Sequence, residues 1–308
     1  MYSLGIDIGG TTIKFGVVDD NNEIVLKRTL KTNNPQKVEP IAKTAKEMLK
    51  EKGILTSEVD KVVVGIPGIV NSKTGASTSN VLGWYNFKLK EKLEKLINLP
   101  VEVYNDVNLA TMAEIKFGGA KGYSDVVMLT LGTGVGGGIV IDNKLCLGNL
   151  GMGAEIGHTI FEHNGRLCSC GRRGCFQAYA SATALVNLAK EKLEKNKTSS
   201  LYFEINGDFE KLNGEVILKE YKNKDKTTVE IVEEYIGYLS EGIISICNFL
   251  RPQIILLGGG ISNWGEILTT KVKAYCKKQN YGYLNSPEVE IKIATLKNDA
   301  GILGCKAV

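Results

Sequence analysis

No apolar run in the 308-residue chain approaches the roughly 18 residues needed to cross a bilayer, and MYSLGIDIGG at the start lacks the basic segment, apolar stretch and cleavage site of a secretory leader. A membrane span and an exported form are set aside, so the expected location is cytoplasmic. Charge of one sign is scarce as well: a net charge of +4 is too small an excess to argue for nucleic acid. Nor is there a G-x-x-x-x-G-K-[ST] segment, which closes the P-loop route to nucleotide binding. What is present is globular. Hydrophobic residues make up 43% and charged residues 23% of the chain, average values for a packed protein, and the length points to about two domains.

Seven cysteines in a reducing compartment read as free thiols or metal ligands, not as a disulfide framework. Three of them fall within the stretch EHNGRLCSCGRRGC, residues 162 to 175. A metal knot, a staple and an accident are all open on that count alone.

The chain opens as a β-meander, with strands expected over 2–7, 12–19 and 23–30 around the turn DIGGTT. Apolar residues Val38, Ile41, Ala45, Met48 and Leu49 place a helix within 35–52. KVVVGIPG and PVEVYND read as short buried strands, and a helix is expected over 109–117, so this half reads βββαβαβα. The second half repeats the plan, since VVMLTLGTGVGGGIVIDNKL echoes LGIDIGGTTIKFGVVDDNNEIV as strand, glycine turn, strand. Charged, weakly periodic residues 194–226 read as loops and short helices. A long amphipathic helix over 229–250 stops at Pro252, and QIILLGGGIS is taken as the last core strand, with a third glycine turn. The expectation is two similar α/β lobes around a cleft: residues 1–118 with a C-terminal helix over 298–308, and residues 119–297.

A buried strand ending in glycines offers backbone N–H groups that a phosphate can approach without meeting a Cβ. Three such turns suggest a polyphosphate ligand, with hydroxyls from Thr11, Thr12 and Thr133, and with Asp7 able to hold hydrated Mg2+. Residues 132–137 also satisfy G-x-G-x-x-G, but that fingerprint requires a helix next, whereas GGIVIDNKL continues as strand and hairpin. A dinucleotide fold is therefore rejected. At Tyr104-Asn105-Asp106 an amide and a carboxylate end a buried strand just before a helix. Asp106 or Asn108 reads either as the helix N-cap or, for Asp106, as a general base for a hydroxyl acceptor. Glu155 and His158 stand three apart in EIGH and form a second polar pair suited to a polyol.

DIGGTTIKFGVVD, GIPG, YNDVNLATMAE, LGTGVGGGIV, EIGHTIFEHNGRLCSCGRRGC and IILLGGGIS occur in the order and spacing of the ROK family of bacterial sugar kinases and sugar-responsive repressors. The chain resembles that family along nearly its whole length, and its glucokinases most, where GW (83–84) and YASATAL (179–185) also recur. The resemblance implies an actin-like ATPase (ribonuclease H-like) fold, ATP and Mg2+ between the lobes, transfer of the γ-phosphate to a hexose hydroxyl, and a homodimer or homotetramer. It implies Asp106 as base and Gly68, Asn80, Asn105, Glu155, His158 and Gln177 on the sugar side. Asp7, Gly9, Gly10, Thr11, Thr12 and Lys14, with Gly132, Thr133, Gly134 and Gly136, match phosphate loops, and Gly258, Gly259 and Gly260 match the nucleotide side. His158, Cys168, Cys170 and Cys175 form a Cys3His set with the spacing of the family's structural Zn2+ site; the alternative is three reduced cysteines in a loop. Cys146, Cys247, Cys276 and Cys305 are expected to be small core residues.

One position departs from the pattern. Two residues past the last cysteine of the motif the family carries an acid, whereas this chain has Gln177. Glucose is the first expectation, and N-acetylmannosamine, mannose and fructose stay open. A sugar-sensing repressor is disfavoured, because only six residues precede Asp7 and a helix-turn-helix needs more.

Overall fold

The computed structural model describes residues 1–32, 38–279, 281 and 287–308. It is mixed α/β and carries the two-lobed actin-like ATPase fold. Two compact units emerge: Met1–Val126 with Gly138–Ala154 and Thr295–Val308, and Val127–Gly137 with Glu155–Ala294.

The first unit is built on a five-stranded sheet of order β3-β2-β1-β4-β8. Its strands are β1 (Tyr2–Ile8), β2 (Thr12–Val18), β3 (Ile24–Lys31), β4 (Val59–Ile66) and β8 (Val101–Asn105). β1, β2 and β3 pair antiparallel as the expected meander, while β4 runs parallel to both β1 and β8. Val62, Val63, Val64 and Ile66 of β4 are all fully buried, as the near-continuous apolar run of a central parallel strand requires. Ile41, Ala45 and Met48 of α1 (Glu39–Glu51) and Leu89, Leu93 and Ile97 of α2 (Leu89–Ile97) share a core with Leu4, Ile6 and Phe15. On the other side Val18 and Val63 pack with Leu109 of α3 (Asp106–Phe117), Ile302 of α10 (Ala300–Leu303) and Cys305. Helix α1 starts at Glu39 with Pro40 in its first turn, where a missing N–H costs nothing; positions 35–37 of the expected helix lie outside the described residues. The single expected C-terminal helix over 298–308 is instead three short turns, with α10 in the middle.

Between β4 and α2 stands a feature the hydrophobic pattern does not announce. β5 (Ile69–Val70), β6 (Ser77–Ser79) and β7 (Trp84–Phe87) form a separate three-stranded sheet. Its strands are too short to show an alternation, and it is anchored by Trp84, 1% exposed and stacked on Phe87.

The second sheet has the order β11-β10-β9-β12-β13, with β9 (Val126–Leu131), β10 (Val135–Ile141), β11 (Lys144–Leu145), β12 (Ile254–Gly258) and β13 (Glu290–Ile293). β10 follows the glycine turn directly, so the second turn joins strand to strand as read. β12 is not the last core strand: β13 pairs parallel with it at the sheet edge. The remaining helices are α4 (Gln177–Ala180), α5 (Ala182–Lys195), α6 (Ser200–Glu204), α7 (Gly214–Lys222), α8 (Lys226–Leu250) and α9 (Glu266–Gln279). α8 ends where Arg251 turns left-handed, φ 45°, ahead of Pro252. Cys247, Cys276 and Cys305 are buried as expected, but Cys146 is exposed, because it follows the short edge strand β11 and not a core element. No helix among the described residues is long and apolar enough to cross a membrane.

Candidate active site and metal centre

In the first unit the parallel register decides which residues become neighbours. Asp7 stands opposite Gly65 on β4, and Gly65 stands opposite Tyr104 on β8, so Asp7 and the Asn105-Asp106 step lie at the carboxyl ends of β1 and β8, with β4 between them, where open α/β sheets bind ligands. Asp7 also faces Lys14 across the β1–β2 hairpin. Its carboxylate lies 3.8 Å from Lys14 Nζ, which donates to Asn298 Oδ1 at 3.0 Å. The chain end closes over it: a Cβ at Gly301 would lie 3.0 Å from Asp7 Cγ. Burial pushes the Asp7 carboxyl above the usual carboxylate range, with Lys14 opposing.

The turn after β1 is closed by the Gly9 N–H donating to Thr12 O at 2.9 Å. Thr32, just past β3, holds it from the side: its hydroxyl donates to Gly9 O at 2.9 Å and its N–H to Thr11 O at 2.9 Å. Gly10 lies against Val81, the residue after the exposed Asn80, with a Cβ there 2.7 Å from Val81 Cγ1.

Asn105, and neither Asp106 nor Asn108, is the N-cap of α3. Its Oδ1 accepts from the N–H groups of Val107 and Asn108 at 2.9 and 3.1 Å, because β8 ends at Asn105 and the cap must be the last extended residue, here at ψ 140°. Its Nδ2 donates to Gly68 O at 2.9 Å, tying the β4–β5 turn to the start of the helix. Gly68 has φ 116° and no room for a Cβ, which would meet Thr78 O at 2.4 Å. Asp106 is then the first helical residue, half-buried, with Oδ1 accepting from the Val107 N–H at 2.9 Å.

In the second unit the Gly132 N–H donates to Gly134 O at 3.0 Å, and the Ala182 N–H to Gly132 O at 2.8 Å. Thr133 is exposed on this turn, and Gly136 continues into β10. The third glycine turn abuts it. Gly259 has φ 79°, and a Cβ there would lie 2.6 Å from the Leu131 backbone, so only glycine permits the approach. Gly258 ends β12, and Gly260 begins a short 3-10 turn. Glu155 and His158 flank another 3-10 turn, with the His158 N–H donating to Glu155 O at 3.0 Å. Gly157 inside that turn packs on Val135 O. Although Glu155 keeps a surface open to solvent, loss of water around its carboxyl pushes it up, with His158 opposing.

His158, Cys168, Cys170 and Cys175 bring their ligand atoms within 4.8 Å of one another. Cys170 Sγ and Cys175 Sγ are 3.7 Å apart, and Cys168 Sγ is 3.8 Å from His158 Nδ1. A tetrahedral zinc with bonds of about 2.3 Å to sulfur separates neighbouring sulfurs by about 3.8 Å, so the donor set fits. A disulfide would need about 2.05 Å, and all seven cysteines are free. Burial opposes it, but hydrogen bonds from Cys170, Gln177 and Cys175 draw the Cys168 thiol down to about 7. Burial, then the neighbouring sulfurs, push Cys175 up to about 12. The loop is braced by Arg166, whose guanidinium lies over the rings of Tyr179 and Tyr238, and by Tyr179 donating to Glu162 at 2.5 Å.

Thr32, Asn298 and Gly301 escape a reading by motif. The meander register could have placed Thr32, since Lys31 pairs with Thr12; nothing local in the sequence places Asn298 or Gly301 against Asp7 and Lys14.

The chain matches the ROK family over residues 3–308. It is 35% identical to the glucokinase of Halalkalibacterium halodurans, over 98% of this chain and 93% of that one. It is 33% identical to the glucokinase of Thermotoga maritima, over 99% and 96% of the two chains. The crystal structure of a ROK family glucokinase from Streptomyces griseus in complex with glucose and AMPPNP superposes with a TM-score of 0.84 at 32% identity, covering 99% of this chain and 98% of that one.

Proposed function

The chain belongs to the ROK family, and from that membership we propose that it is an ATP-dependent sugar kinase that transfers the γ-phosphate of ATP to glucose. The observation that carries the reading is the Asn105-Asp106 step: a carboxylate on the first turn of α3, at the end of a buried parallel strand, held beside the Gly68 turn by the Asn105 amide. Named glucokinases at 33% identity and above over nearly the full length support glucose as the acceptor.

In this reading Asp106 takes the proton of a sugar hydroxyl as that oxygen bonds to the γ-phosphorus and the bond to the departing ADP oxygen breaks. Gly68, Asn80 and the Asn105 backbone, together with Glu155 and His158, are the groups assigned to the sugar. Backbone N–H groups of the two glycine turns other than those of Gly9, Gly132 and Val135, with the Thr11, Thr12 and Thr133 hydroxyls, hold phosphate oxygens, and Gly258 to Gly260 border the nucleotide. Asp7, which forms a long ion pair with Lys14 at 3.8 Å, is the group that would hold hydrated Mg2+, which would neutralise phosphate charge. His158, Cys168, Cys170 and Cys175 hold a structural Zn2+, which supplies rigidity. With Nδ1 turned to Cys168, His158 has Nε2 left to donate to a sugar hydroxyl.

Free thiols throughout the chain suit a cytoplasmic setting. The homodimer or homotetramer implied by the resemblance forms part of the proposal and is read by light scattering. A second acceptor, N-acetylmannosamine, mannose or fructose, is kept open by Gln177 standing where the family carries an acid. Coupled assays with ATP and Mg2+ over hexoses and N-acetylhexosamines decide: glucose is expected to give the highest kcat/KM. Failure to phosphorylate any of them would overturn the reading.

A further inference from the structure

We propose that Gln177 is a positioning residue whose side-chain amide ties the metal ligand Cys168 to the glycine turn at residues 132–135. This rests on reading the Cys3His set as a zinc site and that turn as a phosphate loop. Gln177 begins α4, two residues past Cys175. Its Nε2 donates to Cys168 Sγ at 3.2 Å and to Ser169 Oγ at 3.0 Å. Its Oε1 accepts from the Val135 N–H at 3.4 Å and lies 2.7 Å from where a Cβ at Gly134 would stand.

Chemistry leaves one orientation of this amide. A metal-bound thiolate only accepts and a backbone N–H only donates, so nitrogen must face Cys168 and oxygen must face Val135. A carboxylate here could still accept from Val135 but would offer no proton to Cys168, and would set two anions against each other. The exchange of acid for amide at position 177 thus fits the partners it meets in this chain. N–H donation to a metal-bound sulfur spreads its charge and fixes its direction, and losing such a partner typically costs about 10- to 100-fold in metal affinity. Because the same amide reaches Val135, a loosened knot also frees the turn.

The test uses the full-length zinc protein and the variants Gln177→Glu and Gln177→Met, the second an uncharged side chain of similar length with no donor. Three quantities are read: zinc release to a chromophoric chelator, the thiolate-to-metal charge-transfer band of the cobalt(II)-substituted protein, and KM for sugar and ATP. Both variants are expected to release zinc about 10- to 100-fold faster, to shift the cobalt band and to raise the ATP KM. Release rates and cobalt spectra like those of the parent, with the sugar KM alone altered, would overturn the proposal and give Gln177 to the sugar. A parent protein without zinc would instead remove the metal reading beneath it. Should Gln177→Glu fail to fold, Gln177→Met decides by the same measurements.

Discussion

The two units carry the same strand–turn–strand element and support it by different means. In the first, the turn after β1 is held by Thr32, the residue following the next strand but one, through two hydrogen bonds of 2.9 Å. In the second, the turn after β9 is held by Ala182 and Gln177, residues more than forty positions downstream, just past the Cys3His loop. One turn is completed by its own meander, the other by residues that follow the Cys3His loop. The carboxylate differs too: aligning DIGG with TLGT puts Thr130 at the place of Asp7. On the proposed reading, cation binding belongs to the first turn and metal dependence of structure to the second.

The largest effect expected lies outside both turns. Asp106→Asn should lower kcat by about 10² to 10⁴ while leaving the ATP KM within a few-fold, as read by steady-state kinetics. A variant with near-parental kcat would take Asp106 out of the chemistry.

Asp7→Asn should cost at least about tenfold in kcat and raise the Mg2+ needed for half-activity, whereas Thr130→Val, at the matching place, should do neither. Equal losses would erase the distinction. The same variant has a stability signature. Burial raises the folded Asp7 pKa, so the parent pays for an ionised buried carboxylate above that pKa and pays nothing once pH falls below the unfolded value. Asp7→Asn should therefore be the more stable protein at neutral pH. Urea midpoints should show that advantage fading as pH drops through the raised pKa toward the ordinary carboxylate value.

Metal removal should separate the supports. In hydrogen exchange, chelator-stripped protein or Cys170→Ser should lose protection over residues 131–136 and 155–177, while residues 8–13 keep theirs, and sugar KM should rise several-fold. Loss of protection at both turns together would mean that the metal holds more than the second turn.

Thr32→Val is the smallest change and the converse one. Losing its hydroxyl bond to Gly9 should cost about 1 kcal/mol in urea unfolding, with zinc content unchanged. A fall in bound zinc would show that the two supports are not independent.

Legibility followed the range of the physics involved. The Cys3His cluster was readable because Cys168, Cys170 and Cys175 lie within eight residues, so chain connectivity alone brings them together. The glycine turns and the strand ahead of Asp106 were readable from apolar runs and their punctuation. The cap of α3 was misplaced because Asn105, Asp106 and Asn108 are all good cap formers, and only the end of the β8 ladder chooses among them. The sheet of β5, β6 and β7 was missed because strands of two to four residues carry no period. Cys146 looked like core because a lone cysteine is usually buried, and only its place beside an edge strand says otherwise.

By itself the sequence determined the two strand–turn–strand elements, the Cys3His cluster and the carboxylate at the strand end, because each is written in spacing along the chain or in the period of a single strand. Tertiary structure alone decided that Asn298 and Gly301 reach Lys14 and Asp7, that Asn105 spends its side chain on a cap and on Gly68, and that Gln177 faces Cys168 and Val135. A hydrogen bond is satisfied within a few tenths of an ångström, and no local pattern measures a distance between residues that only folding brings together.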